Sequence, residues 1–416
     1  MPSFLDDVVT VENENVDIPL PEVVGGGDTA EFKNVIVKNA LAPTEYKDAF
    51  QVIWDLAKLD PQDFRLDEES VRFKVWQVAM KQKASDGTIT PVITTLYAYS
   101  GKFRRVTDFD RQTEDAIARM SDRLRERRMT VRRTLGTGLG DPCTQTVLLA
   151  DWQFGKPETR QSDAGETGPE QTALRIERAV DGVKKQFKDY RRTGRNVRGV
   201  ALGFMGDAIE HIANSYDSQT FGVRLNLTEQ ILLALDYMQM ACEELLPLGE
   251  TQQVFGVLCN HGQLGRQGTK TNITDDSDNA QNLLLRLLRD KVVGPKFRDT
   301  EWHVPGAEMV TTLDIAGVPV AAAHGHTITG GEDRWLLSQT TTMHALRGVA
   351  PRLWLTAHKH SMNVLDLGAV TRIQAATADG GSKHFVDRTG IYSTPGTVAL
   401  LVGNHDERGF SNVDLL

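Results

Sequence analysis

"VALGFMGD", residues 200–207, is an apolar run that ends on an acid. Its length and its glycines suit a buried strand better than a helix. What decides the fold is what lies on either side of it. Upstream, "TALRIERAVDGVKKQFKDYRRTG" (172–194) places Ile176, Val180, Val183, Phe187 and Tyr190 on one helical face, and Gly194 suits a helix stop. Downstream, "NLTEQILLALDYMQMACEELLPLG" (226–249) is a second helix, with Asn226 and Glu229 spaced as a capping box. A strand set between helices in this way implies a layered α/β domain.

The pattern continues in both directions. "TVLLAD" (146–151) is another short strand ending in an acid, and "QVFGVLCNH" (253–261) is a third strand. A helix is expected near 279–292, then a strand in "VPVAAAHGH" (318–326), a helix near 332–347, and a strand in "RLWLTAHKH" (352–360). Strands at 363–367, 370–376 and 397–402 complete the sheets, and no repeat of fixed period appears. We therefore place one domain over 141–416.

Residues 1–35 read as an acidic flexible arm, with Pro19 and Pro21 close to the Gly25-Gly26-Gly27 run. Residues 36–140 read as a smaller N-terminal α+β accessory domain ending in a basic helical linker. Its expected elements are a short helix at 45–58, strands at 71–83 and 91–103 around Asp86-Gly87, and a helix at 110–129 carrying Ile117, Met120 and Leu124.

The chain is 416 residues long, with 40% hydrophobic and 25% charged residues, which is ordinary for a globular protein with room for two or three domains. No run of eighteen apolar residues is present, so neither a spanning helix nor membrane association is expected. The N-terminus lacks a basic start and an apolar stretch, and is not read as a secretory signal. Cys143, Cys242 and Cys259 are odd in number and widely spaced, which points to a reducing compartment, the cytoplasm. The net charge of −9 argues against a purely electrostatic nucleic-acid binder, but 101–106, 123–133 and 184–198 are locally basic.

Five strand ends carry polar residues that a core would not select: Asp151-Trp152-Gln153, Gly206-Asp207, Asn260-His261, His324-Gly325-His326 and His358-Lys359-His360. In open α/β sheets the ligand crevice lies at strand C-terminal ends. Converging there, carboxylates, an amide and imidazoles form an oxygen–nitrogen donor set suited to divalent cations rather than to a thiolate site.

The order of these motifs resembles that of the calcineurin-like metallophosphoesterase superfamily: D-x-H, G-D, G-N-H-[DE], H and G-H-x-H. Within it the chain is most similar to SbcD-type and Mre-type DNA repair nucleases, in the form carried by tailed phages of actinobacteria. The match covers 143–376 well and the remainder loosely; residues 1–140 have no counterpart. The fold this implies is a layered metallophosphoesterase β-sandwich flanked by helices.

Residue by residue, the resemblance assigns Asp151, Gln153 and His360 to a first metal ion and Asp207 to a bridge between two. It assigns Asn260, His324 and His358 to the second ion, and puts His261 at the scissile phosphate. Two divalent cations are implied, Mn²⁺ foremost, with Mg²⁺, Fe²⁺ or Zn²⁺ as alternatives. The implied activity is binuclear metal-dependent phosphodiester hydrolysis, in a DNA exonuclease or repair-type nuclease. The alternatives are a phosphatase, a small-substrate phosphodiesterase, or a non-catalytic phage structural or binding module. DNA is the expected substrate, a homodimer and a protein partner for the acidic arm are considered, and a phage origin would place the protein in host cytoplasm.

Three of the motifs depart from the family pattern. Gln153 stands where the family has His, and its neutral amide should bind a cation more weakly. Cys259 and Gly262 flank Asn260-His261 in place of Gly and an acid. Ala357 replaces the Gly of the last motif. A second match, Gly403-Asn404-His405-Asp406, has the better-looking text but comes after every expected ligand, and reads as a polar turn. His211, His303, His344 and His384 read as surface or core histidines, with His211 notable for its nearness to Asp207 in sequence. His326 reads as a neighbour of the ligands, and Trp152 and Trp354 as packing residues.

Overall fold

A computed structural model describes residues 22–25, 32–40, 54, 57–83, 89–127, 138–157, 160–161, 165–212, 223–264, 275–328, 330–380, 390 and 393–416. The chain divides into two compact units, Met1–Glu114 and Asp115–Leu416. The first contains β1 (Glu22–Gly25), β2 (Phe32–Ala40), β3 (Phe64–Lys83) and β4 (Ile89–Arg105), joined antiparallel in the order β1-β2-β4-β3. The hairpin expected from two apolar runs is present with longer strands, and Asp86-Gly87 lies outside the described residues. So does most of the helix expected at 45–58. Residues 22–25 and 32–35, expected in a flexible arm, are instead paired in this sheet. Fully buried Phe103 anchors the unit, with Trp54 edge-on at 4.8 Å.

Helix α1 (Asp108–Arg127) contains the division between the units. The larger unit holds two principal sheets. The first has the order β10-β9-β8-β5-β16-β17. Its strands are β5 (Leu139–Leu149), β8 (Arg195–Phe204), β9 (Thr251–Gly256), β10 (Glu301–His303), β16 (Val398–Val402) and β17 (Phe410–Leu415). Strands β5, β8, β9 and β10 run parallel; β16 returns antiparallel to β5, and β17 is antiparallel to β16 and so runs with β5 again. The second sheet has the order β11-β12-β13-β15-β14. It contains β11 (Thr311–Ile315), β12 (Val318–Ala322), β13 (Leu353–Thr356), β14 (Asn363–Asp366) and β15 (Thr371–Gln374), with β12, β13 and β15 parallel. A minor hairpin pairs β6 (Arg160–Gln161) with β7 (Gly165–Glu166).

Side-chain alternation sorts these strands into layers. Leu148, Ala201, Phe255, Val398 and Leu400 face Val320, Leu353, Leu355 and Ile373 of the other sheet, forming the sandwich core. Val147, Leu149, Val200, Leu202 and Leu401 point the other way. They meet α2 (Pro169–Arg192), α3 (Leu227–Leu245) and α4 (Ala280–Leu287) through Ile176, Val180, Val183, Tyr237 and Leu284. On the far side of the second sheet, Ala321 and Trp354 pack under Leu336 and Met343 of α5 (Glu332–Arg347). The result is a helix–sheet–sheet–helix sandwich, the layered α/β class expected. Strands buried on both faces read as unbroken apolar runs, which is why they stood out in the sequence. The expected capping box is present: Asn226 Oδ1 accepts from Glu229 N–H and Glu229 Oε2 from Asn226 N–H, each at 3.0 Å. Among the described residues, no helix is long and apolar enough to cross a membrane.

Candidate metal centre

Parallel strands end on one edge, so β5, β8 and β9 deliver Asp151 and Gln153, Asp207, and Asn260 and His261 to the same side. In the second sheet, β12 and β13 deliver His324, His358 and His360. The two sets are stitched together. The His358 N–H donates to Asp151 Oδ2 at 3.2 Å, and the Thr377 hydroxyl donates to the Asp151 carbonyl at 2.6 Å. His324 Nδ1 lies 2.8 Å from the Met205 carbonyl, so Nδ1 donates there and Nε2 is the nitrogen turned toward Asp207. Gly206, at φ +97°, lets the strands approach: a Cβ there would lie 2.6 Å from His324 Nδ1.

The backbone is strained where these residues sit. Of nine non-glycine residues with positive φ among those described, six are Asp151, Gln153, Asp207, His211, His358 and His360. L-residues occupy that region at a cost, and such positions gather at functional sites.

The donor atoms of Asp207, His324 and His358 all lie within 4.8 Å of one another. Asp207 Oδ2 is 2.9 Å from His324 Nε2, off the direction of a regular hydrogen bond. Asp207 Oδ1 accepts from the His261 N–H at 3.1 Å. Asp151 Oδ1 stands 3.4 Å from His360 Nε2. Asp151 Oδ1, Asn260 Oδ1 and His324 Nε2 are buried without a hydrogen-bond partner. Buried polar atoms are normally satisfied, so three orphans at one edge fit a divalent cation bound by oxygen and nitrogen.

The electrostatics agree. Burial alone would raise the Asp207 carboxyl, but His324, His261 and His358 outweigh it and hold the carboxyl well below its usual range. Burial pulls the His324 imidazole down, yet the Asp207 carboxylate prevails and raises it to about 9. Burial, followed by the charge of His324, pushes His358 down to about 4.

His261 is oriented from behind: its Nδ1 lies 2.7 Å from the Glu210 carbonyl and 3.6 Å from Glu210 Oε2. Nδ1–H is therefore the donor, and Nε2 is the nitrogen able to exchange a proton. Glu210 was not foreseen, nor were Lys156 and Asp379. Lys156 Nζ contacts Asp379 Oδ2 and lies 3.4 Å from Gln153 Oε1. The signal for Asp379 was present in the text: "TRIQAATAD" is one more apolar strand running into an acid.

Other marked residues lie elsewhere or serve packing. The Gly403–Asp406 tetrapeptide occupies the β16–β17 turn, where His405 Nε2 meets Ser411 Oγ at 2.7 Å. Val402 pairs with Thr144, seven residues before Asp151 along β5, so the turn lies at the opposite sheet edge, about 23 Å away at strand rise. His211 is buried, its N–H donating to Gln230 Oε1 at 2.8 Å. His303 Nε2 lies 3.1 Å from Glu301 Oε1. His344 is exposed on α5, and His384 lies outside the described residues. The ring of His326 lies 5.5 Å from that of His324. Trp152 is buried edge-on to Phe154 and Phe204, and Trp354 donates to Thr340 Oγ1 at 2.9 Å.

Basic residues of α1 are paired internally. Arg119 binds Glu170, Arg123 binds Glu177, and Arg127 binds both Asp181 and Glu244 at 2.8–2.9 Å. Residues 128–133, the rest of the expected basic segment, lie outside the described residues.

No family model matches the chain, and no curated protein matches it. Among solved structures it is similar to Entamoeba histolytica Vps29 complexed with Zn²⁺ (TM-score 0.28, 13% identity, 62% of this chain and 84% of that one). It is also similar to an archaeal phosphodiesterase (TM-score 0.27, 10% identity, 65% and 99%). A third is a putative 5'-nucleotidase from Staphylococcus aureus (TM-score 0.26, 11% identity, 66% and 53%).

Proposed function

We propose that the protein is a divalent-metal-dependent phosphoesterase that cleaves phosphodiester bonds, with DNA as its substrate. The observation that carries the reading is the convergence of Asp151, Asp207, Asn260, His324, His358 and His360 on one sheet edge, with orphaned donor atoms and left-handed backbone concentrated there. Asp207, Asn260, His324 and His358 would hold one cation; Asp151, Gln153 and His360 form the donor set of a second. Bound there, divalent cations would supply Lewis-acid polarisation of the phosphate and acidify a water.

The chain's own residues do the rest. Asp207 fixes the His261 backbone, and the Glu210 carbonyl fixes its ring. His261 Nε2 is thereby set to pass a proton to the leaving oxygen. The buried edges of both sheets exclude bulk water from Asp151, Asp207 and His324, each no more than 1% exposed.

A smaller phosphodiester substrate is the second reading. What favours it is that Arg119, Arg123 and Arg127 direct their charge to acids of the same unit rather than to a nucleic-acid backbone. One experiment addresses both: the protein with Mn²⁺, offered labelled single-stranded, double-stranded and nicked DNA beside a chromogenic phosphodiester. Cleavage of DNA supports the first reading and cleavage of the ester alone the second. Cleavage of neither removes the enzyme in favour of a binding module.

A further inference from the structure

Lys156 lies three residues beyond Gln153, in the loop that leaves β5. Its ammonium forms a close ion pair with Asp379 Oδ2 and also faces Gln153 Oε1 at 3.4 Å. The side chain of Asp379 is 1% exposed and that of Lys156 16%. Asp379 is held from behind, its N–H donating to Thr377 Oγ1 at 3.0 Å. The same Thr377 hydroxyl donates to the Asp151 carbonyl. The lysine is thus tied, through one carboxylate and one hydroxyl, to the backbone of the first candidate ligand. It presents a fixed positive charge to the oxygen through which Gln153 would ligate a cation, since an amide nitrogen has no lone pair to offer.

We propose that the Lys156 ammonium stands in for the cation on the Asp151–Gln153–His360 side, so that the chain holds one divalent ion tightly rather than two. The inference rests on the metal-centre reading above and goes beyond it by stating stoichiometry and the residue that sets it. A divalent cation and an ammonium sharing one amide oxygen repel each other in a site where water does not screen them. The geometry is asymmetric in the same sense. Asp207, His324 and His358 bring three carboxylate or imidazole donors within 4.8 Å of one another. Among the described residues, no such trio includes Asp151, His360 or Asp379. Asp379 holds Lys156 in place through Oδ2, while its Oδ1 is buried without a hydrogen-bond partner.

The test counts metal and does not depend on turnover. Full-chain protein is loaded with Mn²⁺ and passed through a desalting column. Manganese per chain is then measured by mass spectrometry, and electron paramagnetic resonance is used to detect a spin-coupled pair. The variants are Lys156→Met and the double variant Lys156→Met/Asp379→Asn, which avoids stranding a buried carboxylate. Circular dichroism checks folding. The wild type is expected to retain one Mn²⁺ without a coupled signal, its second site weaker by about a hundredfold or more. The double variant is expected to retain close to two, with the coupled signal. Two tightly held ions in the wild type, or a folded double variant that still retains one, would overturn the proposal. Retention of none in the wild type would instead remove the metal centre on which it stands.

Discussion

Asp207 Oδ2 and His324 Nε2 lie 2.9 Å apart across the seam between the two sheets, one at the end of β8 and the other just beyond β12. Asp207 also accepts the His261 N–H through its other oxygen and the Gln153 N–H through its carbonyl. Asp207→Asn keeps the shape and an oxygen for the His261 N–H but loses the charge. We expect unchanged circular dichroism, loss of retained Mn²⁺ and a fall in turnover of roughly 10²-fold or more. Near-normal turnover in this variant would contradict the proposed centre.

The same pair sets a pH dependence. In chelator-treated protein, His324 titrates near 9 when folded against an ordinary 6.5 unfolded, so the native state binds the extra proton. Its contribution to stability is complete below 6.5 and is lost as pH rises toward 9. His358, pushed down to about 4, acts in the opposite sense: its contribution is lost as pH falls from 6.5 toward 4. Melting temperature should therefore peak near pH 6.5. His324→Gln should flatten the alkaline limb, and Mn²⁺ should bind more tightly as pH rises, because it displaces the His324 proton. An alkaline limb that survives His324→Gln would assign it to another group.

Much of the larger unit was legible because its strands are buried on both faces and end in residues no core would choose. β8, with Asp207 just after it, was readable from "VALGFMGD", and α3 from its capping box. β11 was missed because "TTLDI" is short and half polar, and pairs only across the Ala316-Gly317 turn, both residues at positive φ. β17 was missed because Asn412 and Asp414 interrupt its apolar pattern. Within the candidate site, the strand-end residues that converge were legible from their order. Glu210 and Lys156 were not, since each lies on a loop without periodicity, whereas Asp379 ends an apolar run in the same way as Asp151 and was overlooked. The arginines of α1 looked like a basic face, because their partners Glu170, Glu177, Asp181 and Glu244 lie on other helices.

Arg127 illustrates the consequence. Its guanidinium joins Asp181 on α2 to Glu244 on α3, and Glu244 is only 5% exposed. Arg127→Leu leaves that carboxylate with Lys184, 2.8 Å away. The expected cost is roughly 1–3 kcal/mol, read as a lower melting temperature, with hydrolysis of a chromogenic ester preserved. A DNA role is tested instead on Arg128, Arg132 and Arg133. Reversing their charge should weaken DNA binding and flatten its salt dependence, since each lost phosphate contact releases fewer counterions. An unaltered salt slope would count against DNA contact by this segment.

Two Asn-His pairs compete for one chemical role, and the structure separates them in space. His261 sits beyond β9, its backbone on Asp207 and its ring on the Glu210 carbonyl, so Nε2 is the nitrogen available for proton transfer. His405 sits in the β16–β17 turn with Nε2 engaged by Ser411 Oγ. Strand β16 runs antiparallel to β5, so the end carrying His405 is the end of the sheet that Asp151 does not occupy. A proton donor must lie within hydrogen-bond reach of the leaving oxygen, and a residue at the opposite edge cannot. His261→Ala should therefore cut turnover by roughly 10²–10⁴-fold, the scale of losing a general acid, while metal retention stays near wild type. His405→Ala should leave turnover and metal content unchanged and cost only the hydrogen bond to Ser411, about 1 kcal/mol. Reversed losses would mean that the chemistry lies at the β16–β17 turn, and the roles given to Asn260, His324, His358 and His360 would fall with it.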